Sequence, residues 1–410
     1  MTTIKLDPGA ALLLDALHGA GHAAYAVGGC VRDSLLGQAP HDWDLCTSAR
    51  PEQVMALFGE EKCIPTGLQH GTVTVKQGGR LYETTTFRIE GAYSDGRHPD
   101  AVHFVPDVRE DLARRDFTIN AMAYSAEEGL IDPFGGRGDL AAHLVRAVGE
   151  PERRFEEDAL RILRLYRFAA RFGFSVDPAT GAAARALGPH LDCVSAERIQ
   201  EEMLKLLAAP APGRYLEPAV LAVILPELHP LEEPERFAES CRVIDRLAPG
   251  AENVPARLAA LLLPLGEEGT RKAFRRLKCS NALTEETAVL VRETGTSGPA
   301  TDPAVSVRRL LGRYGLTAVE RLAALGAAGH PEQAADFAAR AELARQMEAD
   351  GVCCRIAQLA VNGRDLMAAG AKPGPGLRQL LEQLLEAVIT GQVPNEKQAL
   401  LAAAAQFSAS

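Results

Sequence analysis

Asp42 and Asp44, one tryptophan apart, are the side chains whose type and spacing point most directly to chemistry. In an extended chain, side chains at i and i+2 share a face, so both carboxylates point the same way. Two carboxylates forced together repel. A hard divalent ion with oxygen ligands, Mg²⁺ above all, answers that repulsion and usually brings substrate phosphates with it. Just upstream, Tyr25-Ala-Val-Gly28-Gly29-Cys-Val-Arg32-Asp33 reads as a short apolar strand over 23–27, a glycine turn, and a helix beginning near Val31. Glycines at such a turn let a ligand approach the backbone, and helix N-terminal N–H groups attract anions. A phosphate cradle followed by a metal-binding carboxylate pair is the equipment of nucleotide chemistry.

Other candidates follow along the chain. Gly71 to Lys76 and Leu81 to Arg88 alternate at period two around a Gly78-Gly79 turn, which predicts a β-hairpin. Glu83 lies on its second strand, where a carboxylate beside the Asp42/Asp44 strand could complete a metal site. Arg114, Arg115, Asp116 and Asn120 are expected within two helical turns. Arginine suits bidentate phosphate recognition and an acidic side chain suits a ribose hydroxyl. Glu156 to Gly173 reads as one helix on which Asp158, Arg161 and Arg164 recur every three residues. Arg271, Lys272, Arg275, Arg276 and Lys278 crowd eight residues, a repulsive face unless an anion such as RNA phosphate answers it.

These motifs resemble, in joint spacing, the bacterial-type class II tRNA nucleotidyltransferases (CCA-adding enzymes) and the related bacterial poly(A) polymerases. Arg114-Arg115-Asp116-Phe-x-x-Asn120-Ala is close to an identifier of that family, and Asp132-Pro-Phe-Gly-Gly resembles its connector between head and neck. Glu157-Asp158-x-x-Arg161 resembles its nucleobase-selecting motif, and Ser195 to Leu204 the neck helix that buttresses it. Val361-Asn-Gly-Arg-Asp-Leu and Pro394-Asn-Glu-Lys resemble its C-terminal tail. Gly91-Ala-Tyr93-Ser-Asp-Gly-Arg97-His-Pro-Asp100 resembles the mobile loop of relatives that add the terminal adenosine.

The resemblance implies an α+β protein, with a small mixed β-sheet and helices in an N-terminal head, followed by an all-α neck, body and tail. The expected boundaries are 1–149 for the catalytic head, 150–210 for the base-selecting neck, 211–300 for the body and 301–410 for a tRNA-binding tail. The implied reaction is template-independent addition of C, C and A, from CTP and ATP, to a tRNA 3′ end, with Mg²⁺ as cofactor. Asp42 and Asp44 would be catalytic and hold the metal, with Glu83 a candidate third ligand. Gly28, Gly29, Arg32, Arg115, Asp116, Asn120, Asp158, Arg161 and Arg164 would bind nucleotide, and Arg271, Lys272, Arg275 and Arg276 would bind RNA.

Bulk properties set bounds on this reading. At 410 residues the chain exceeds the ~250–300 at which single cores stop growing, so several domains are expected. A net charge of −10 makes a uniformly basic nucleic-acid surface impossible and leaves local patches as the means of RNA contact. Eight cysteines without any C-x-x-C pair argue against structural zinc and against a disulfide framework. No apolar run approaches membrane-spanning length and the N-terminus carries no signal-peptide core, so a cytoplasmic location with no membrane and no obligatory protein partner is expected.

Four rivals stand beside this reading. Poly(A) polymerases share the head and neck motifs, but typically carry a basic stretch where this chain has Glu61-Lys-Cys-Ile-Pro-Thr-Gly-Leu-Gln-His70. An enzyme adding only the terminal A shares everything above. An RNA-binding paralogue without activity would not need Asp42, Asp44, Arg115 and Asp116 intact. A phosphohydrolase read from His41-Asp42 lacks well-spaced histidine partners.

Overall fold

Period-two alternation and tight glycine turns are what build the sheet. In the computed structural model, which describes residues 3–91, 102–296 and 302–407, the strands are β1 (Ala24–Val27), β2 (Leu45–Thr47), β3 (Cys63–Gly67), β4 (Thr72–Gln77), β5 (Arg80–Thr86), β6 (Arg88–Glu90), β7 (Val102–Phe104), β8 (Ala123–Ser125) and β9 (Gly129–Ile131). Seven of them form one mixed sheet in the order β3-β4-β5-β2-β1-β8-β9, while β6 and β7 pair separately. The predicted hairpin is β4–β5, turned by Gly78 and Gly79, both at positive φ. Within the seven-stranded sheet only β2 and β5 run parallel, with Leu45 opposite Thr84.

Helices of the same unit are α1 (Pro8–Gly19), α2 (Gly29–Leu35), α3 (Pro51–Phe58), α4 (Val108–Ala113), α5 (Gly136–Ala141), α6 (Pro151–Glu157), α7 (Leu160–Phe172), α8 (Pro178–Ala186), α9 (Ala196–Leu207) and α10 (Pro218–Ile224). The chain divides into two compact units, Met1–Pro234 and Glu235–Ser410. Tyr25, Val27, Cys46, Phe87, Leu112 and Ala123 close one core of the first unit beneath the sheet. Fully burying a side chain the size of Phe87 or Leu112 contributes about 1.5–3 kcal/mol. Asp132 accepts hydrogen bonds from the Gly136 and Arg137 N–H groups (2.7 and 2.9 Å), and a Cβ at Gly136 would collide with the Thr118 carbonyl. The Asp132-Pro-Phe-Gly-Gly motif is therefore a turn that seats α5 against the backbone at Thr118.

Two expectations fail, for local reasons. Glu156 to Gly173 is not one helix: α6 stops at Glu157, Asp158 is extended (φ −149°, ψ 104°), and α7 starts at Leu160. The Asp158 carboxylate takes the Leu160 N–H (3.1 Å), so it starts a helix rather than continuing one. Likewise α4 ends before Arg114, and Thr118–Asn120 is a single 3₁₀ turn. There the Asp116 carboxylate captures the Phe117 N–H (2.8 Å), and the Asp116 carbonyl accepts the Val148 N–H.

The second unit is helical throughout its described residues. Val307, Leu311, Val319, Ala344 and Met347 form one of its cores, and Leu366, Leu384, Val388 and Leu400 belong to another. Of the two expected core helices, Pro255 to Leu265 is realised as Val254–Leu262 with a 3₁₀ extension. Gly213 to Leu231, in the first unit, is broken by Pro218 and Pro226 into α10 between two 3₁₀ turns. Among the described residues no helix is long and apolar enough to cross a membrane. All eight cysteines are free thiols.

Candidate active site

The carboxylate pair stands where the sheet begins to pair. Trp43 is buried while Asp42 and Asp44 are exposed on either side of it, so the tryptophan anchors the segment and turns both carboxylates outward. β2 itself begins one residue later, at Leu45, and the Asp44 carbonyl accepts the Val27 N–H of β1 (2.9 Å). Because Leu45 lies opposite Thr84 in a parallel register, Asp44, one residue ahead of β2, comes beside Glu83 of β5. Asp44 keeps accessible surface, yet neighbouring atoms shield its carboxyl from much of the water. Loss of bulk water pushes it up to about 6, the Glu83 and Asp42 charges add to this, and Arg115 opposes it. Asp42 pairs with His41, at 2.9 Å, with both side chains open to solvent.

Uncompensated negative charge of this kind fits a cation. Among the described residues no three carboxylate, imidazole or thiol groups gather closely enough to share one ion, so Glu83 does not complete a three-ligand cluster. A carboxylate pair that leaves other positions to phosphate and water oxygens is how Mg²⁺ is commonly held.

The glycine turn faces the same place. Gly28 has φ +76°, and a Cβ there would sit 2.9 Å from Arg115 Nη1, so only glycine lets that guanidinium lie against the backbone. Arg115 donates to Asp111 (3.3 Å), which also takes a two-pronged contact from Arg114 (3.0 and 2.9 Å). Burial would raise the Asp111 carboxyl, yet these two arginines hold it below its ordinary value. The Arg115 Nε is buried and has no hydrogen-bond partner among the described residues. Arg32 is turned inward instead: it donates to Asp33 (2.8 Å) and to Asn120, and lies over the Phe168 and Phe172 rings (5.4 and 4.9 Å). Its guanidinium braces α2 against α7.

Asp116 is the hub between sheet and helices. It is 8% exposed and accepts from Asn120 Nδ2 (3.1 Å) and from Arg164 Nε and Nη2 (2.9 and 2.6 Å). Burial alone would raise its carboxyl; Arg164, Asn120 and Arg161 overcome that and hold it at about 2. Arg32, Asn120, Asp116 and Arg164 thus form one continuous chain of hydrogen bonds from α2 to α7.

Asp158 and Arg161 flank the helix break. Arg161 is buried and donates to the Arg154 and Arg114 carbonyls (3.1 Å each) and to Glu157 (2.8 Å). Of its five N–H groups these bonds leave two, on Nε and Nη2, for another acceptor. The stretch Ser195 to Leu204, read from the sequence as a buttressing helix without any single residue assigned to the site, supplies the residues behind this motif. Arg198 of α9 donates to Asp158 Oδ2 (2.8 Å), and Glu202, one turn further along α9, pairs with Arg167 (2.5 Å). Arg167 in turn lies over the Phe168 ring at 4.1 Å. The signal was present: Arg198 and Glu202 are opposite charges at i, i+4 on an amphipathic helix.

The basic run of the second unit is not uniform. Arg271 is tied to Glu267 (3.0 Å) and Glu285 (2.7 Å), so carboxylates of its own unit already answer its charge. Lys272, Arg275 and Arg276 stay at the surface. The loop expected to act in A addition lies outside the described residues from Ala92 onward.

A sheet that presents paired carboxylates beside a glycine turn and an arginine is the head of a nucleotidyltransferase. Residues 24–146 match the family described as Poly A polymerase head domain, and residues 252–404 match domain 2 of tRNA nucleotidyltransferases. Residues 173–231 match the family described as Probable RNA and SrmB-binding site of polymerase A. Over 388 residues the chain is 39% identical to the CCA-adding enzyme of Lactobacillus delbrueckii subsp. bulgaricus, covering 95% of each. Over 399 residues it is 36% identical to that of Limosilactobacillus fermentum, covering 96% of each. Its fold is similar to a crystal structure of the Bacillus stearothermophilus CCA-adding enzyme in complex with CTP, with a TM-score of 0.82, 34% identity and 98% of each chain covered. The chain belongs to the CCA-adding enzyme family. That family implies use of a divalent metal.

Proposed function

We propose that this chain adds C, C and A, from CTP and ATP, to the 3′ end of tRNA and releases pyrophosphate, with its own side chains taking the place of a template. The observation that carries the reading is the unbroken chain Arg32–Asn120–Asp116–Arg164, which ties the helix behind the glycine turn to the helix that follows Asp158. Asp42 and Asp44 would hold the divalent ion, read as Mg²⁺, with Glu83 adding negative charge beside them. When bound, the metal activates the RNA 3′-hydroxyl and neutralises charge on the leaving pyrophosphate. Gly28 and Gly29 let phosphates approach the backbone, and Arg115 meets them with a guanidinium. Asp116 and Asn120 suit the ribose, while Arg164 steadies the carboxylate of Asp116.

Base choice rests on donor and acceptor types. Cytosine and adenine each offer an exocyclic amine next to an unprotonated ring nitrogen, whereas uracil and guanine offer a carbonyl next to a ring N–H. A carboxylate only accepts and a guanidinium only donates, so Asp158 with Arg161 matches C and A together. Residues 1–149, 150–210, 211–300 and 301–410 serve as catalytic head, base-selecting neck, body and tRNA-binding tail, with Lys272, Arg275 and Arg276 on phosphates. The reaction belongs to the cytoplasm and needs no protein partner.

The test uses purified protein, Mg²⁺, labelled CTP or ATP, and tRNA ending at the discriminator base, at C or at CC. Stepwise C, C and A incorporation is expected. Incorporation of A alone, onto CC ends only, would reassign the chain to A-only addition, and long A tails on any RNA end to a poly(A) polymerase.

A further inference from the structure

Strand order gives the site two sides. Gly28 follows β1, Asp44 leads into β2 and Glu83 lies on β5, and beyond β5 the sheet continues through β4 to β3. Phosphoryl transfer holds the attacking and leaving oxygens roughly in line across the phosphorus. With the triphosphate on the Gly28 and Arg115 side of the carboxylates, the RNA 3′-hydroxyl has to arrive from the other side, over β5 and β4. Among the described residues that face is open: Glu83 of β5 and Thr66 of β3 are exposed, whereas Tyr82, one residue before Glu83, is buried on the opposite face. Thr74 of β4 stands directly opposite Glu83 and shares its face. The Thr74 Oγ1 lies 2.9 Å from Thr66 Oγ1.

We propose that the Thr66–Thr74 hydroxyl pair recognises the 2′-hydroxyl of the last ribose of the incoming strand, and so makes the site select RNA ends over DNA ends. The proposal rests on the placement of nucleotide and metal given above. Neighbouring strands are about 4.8 Å apart, so the pair begins one strand beyond Glu83, and the 2′-hydroxyl is the sugar group next to the attacking 3′-oxygen. When one threonine donates to the other, one O–H of the pair is left to donate outward and both oxygens keep lone pairs. A ribose hydroxyl is likewise donor and acceptor and completes that bonding; the 2′-carbon of a deoxyribose does neither. The 2′-hydroxyl is the group by which a protein tells RNA from DNA at a given site. Lys76, two residues beyond Thr74 on the same face, is exposed and offers an ammonium to the phosphate that precedes this ribose. A second pair, Thr72 with Thr85 at 3.0 Å, is half-buried and braces β4 against β5, so that bracing does not depend on Thr66.

The experiment measures kcat/KM for A addition from ATP onto two tRNAs ending in CC, identical except that the last sugar is ribose or 2′-deoxyribose. Wild type, Thr66→Val, Thr66→Ser, Thr66→Val/Thr74→Val and Lys76→Ala are compared, with melting temperatures measured alongside. Wild type is expected to favour the ribose end about 10-fold, the upper range for one neutral hydrogen bond. The double valine variant keeps the β-branched shape that strands favour and should bring the ratio close to 1, by losing rate on the ribose end alone. Thr66→Val should fall between the two, and Thr66→Ser, which keeps the hydroxyl, should stay near wild type. Lys76→Ala should slow both ends alike, since the phosphate is common to both; a changed ratio there would place the ribose elsewhere and count against the proposal. A pair that serves only the sheet predicts a lower melting temperature and equal losses on both ends, and that result overturns the proposal. Equal use of both ends by wild type overturns it too, as does a ribose preference that survives both valine variants. If the double variant does not fold, the ratio in Thr66→Val, a change at an exposed position, decides in its place. If wild type adds A to neither end, the reading of the reaction itself fails and the proposal with it, an outcome distinct from loss of the ribose preference.

Discussion

Replacing Asp116 by asparagine keeps the shape of the side chain and removes only its charge. Its carboxyl is held at about 2 against an ordinary value of 3.8, and each unit of such a difference corresponds to 1.36 kcal/mol, giving about 2 kcal/mol of stabilisation at neutral pH. The amide would also present a donor to Arg164 or Asn120, both of which now donate to Asp116. The expected total is about 2–3 kcal/mol. With a urea slope of roughly 1–3 kcal/mol per molar, this moves the midpoint of the first unit by about 1 M. The sign follows from the depressed pKa: the carboxylate's contribution is complete above pH 3.8 and is lost as pH falls toward 2. The gap between wild type and Asp116→Asn should therefore be flat from pH 5 to 8 and begin to close below about pH 4. Arg164 and Asn120 lose their common anchor too, so kcat/KM for CTP should fall at least about 10-fold. Equal urea midpoints at pH 7, or a gap that widens below pH 4, would refute the assignment of Asp116 as hub.

Other expectations follow from the same geometry. Asp42→Asn or Asp44→Asn should abolish turnover and leave tRNA affinity largely intact, as filter binding and incorporation would show together. Since the Asp44 carboxyl is pushed up to about 6, protons compete with the metal there, and wild-type activity should fall below about pH 6, with the fall moved to lower pH by added Mg²⁺. A double Lys272→Ala/Arg275→Ala variant should lose about one unit of salt slope in tRNA binding per removed phosphate contact, whereas Arg271→Ala, already paired with Glu267 and Glu285, should cost stability and leave the slope unchanged. Deleting Tyr93 to Arg97 should give a protein that stops after CC, with equal loss of C and A addition marking a folding defect instead.

The sheet and its turns were legible because local rules decide them. Alternation with two glycines dictates β4–β5, and alternating polarity around Trp43 turns Asp42 and Asp44 to one side whatever the rest of the chain does. The helix break at Asp158 was not legible. Asp158, Arg161 and Arg164 keep helical spacing through it, while the capture of the Leu160 N–H by the Asp158 carboxylate, itself held by Arg198, interrupts the backbone. The inward turn of Arg32 was hidden for a similar reason, since its partners Asn120, Phe168 and Phe172 lie 88 to 140 residues away in sequence. Arg271 read as part of a cationic face because Glu285, which answers it, sits on the next helix.

The claim on which everything above turns is that a carboxylate and a guanidinium, with no nucleic acid opposite them, choose the base. Competition among CTP, ATP, UTP and GTP measures it most directly, with kcat/KM ratios compared between wild type and the reversed pair Asp158→Arg/Arg161→Asp. A site built to pair a substrate's polar groups can reject a mismatched analogue by up to ~10⁴-fold. The reversed pair, or Asp158→Ala alone, is expected to erode that rejection of UTP and GTP in a protein that still folds and still transfers nucleotides. Ratios that stay at the wild-type value in such a protein would contradict the account.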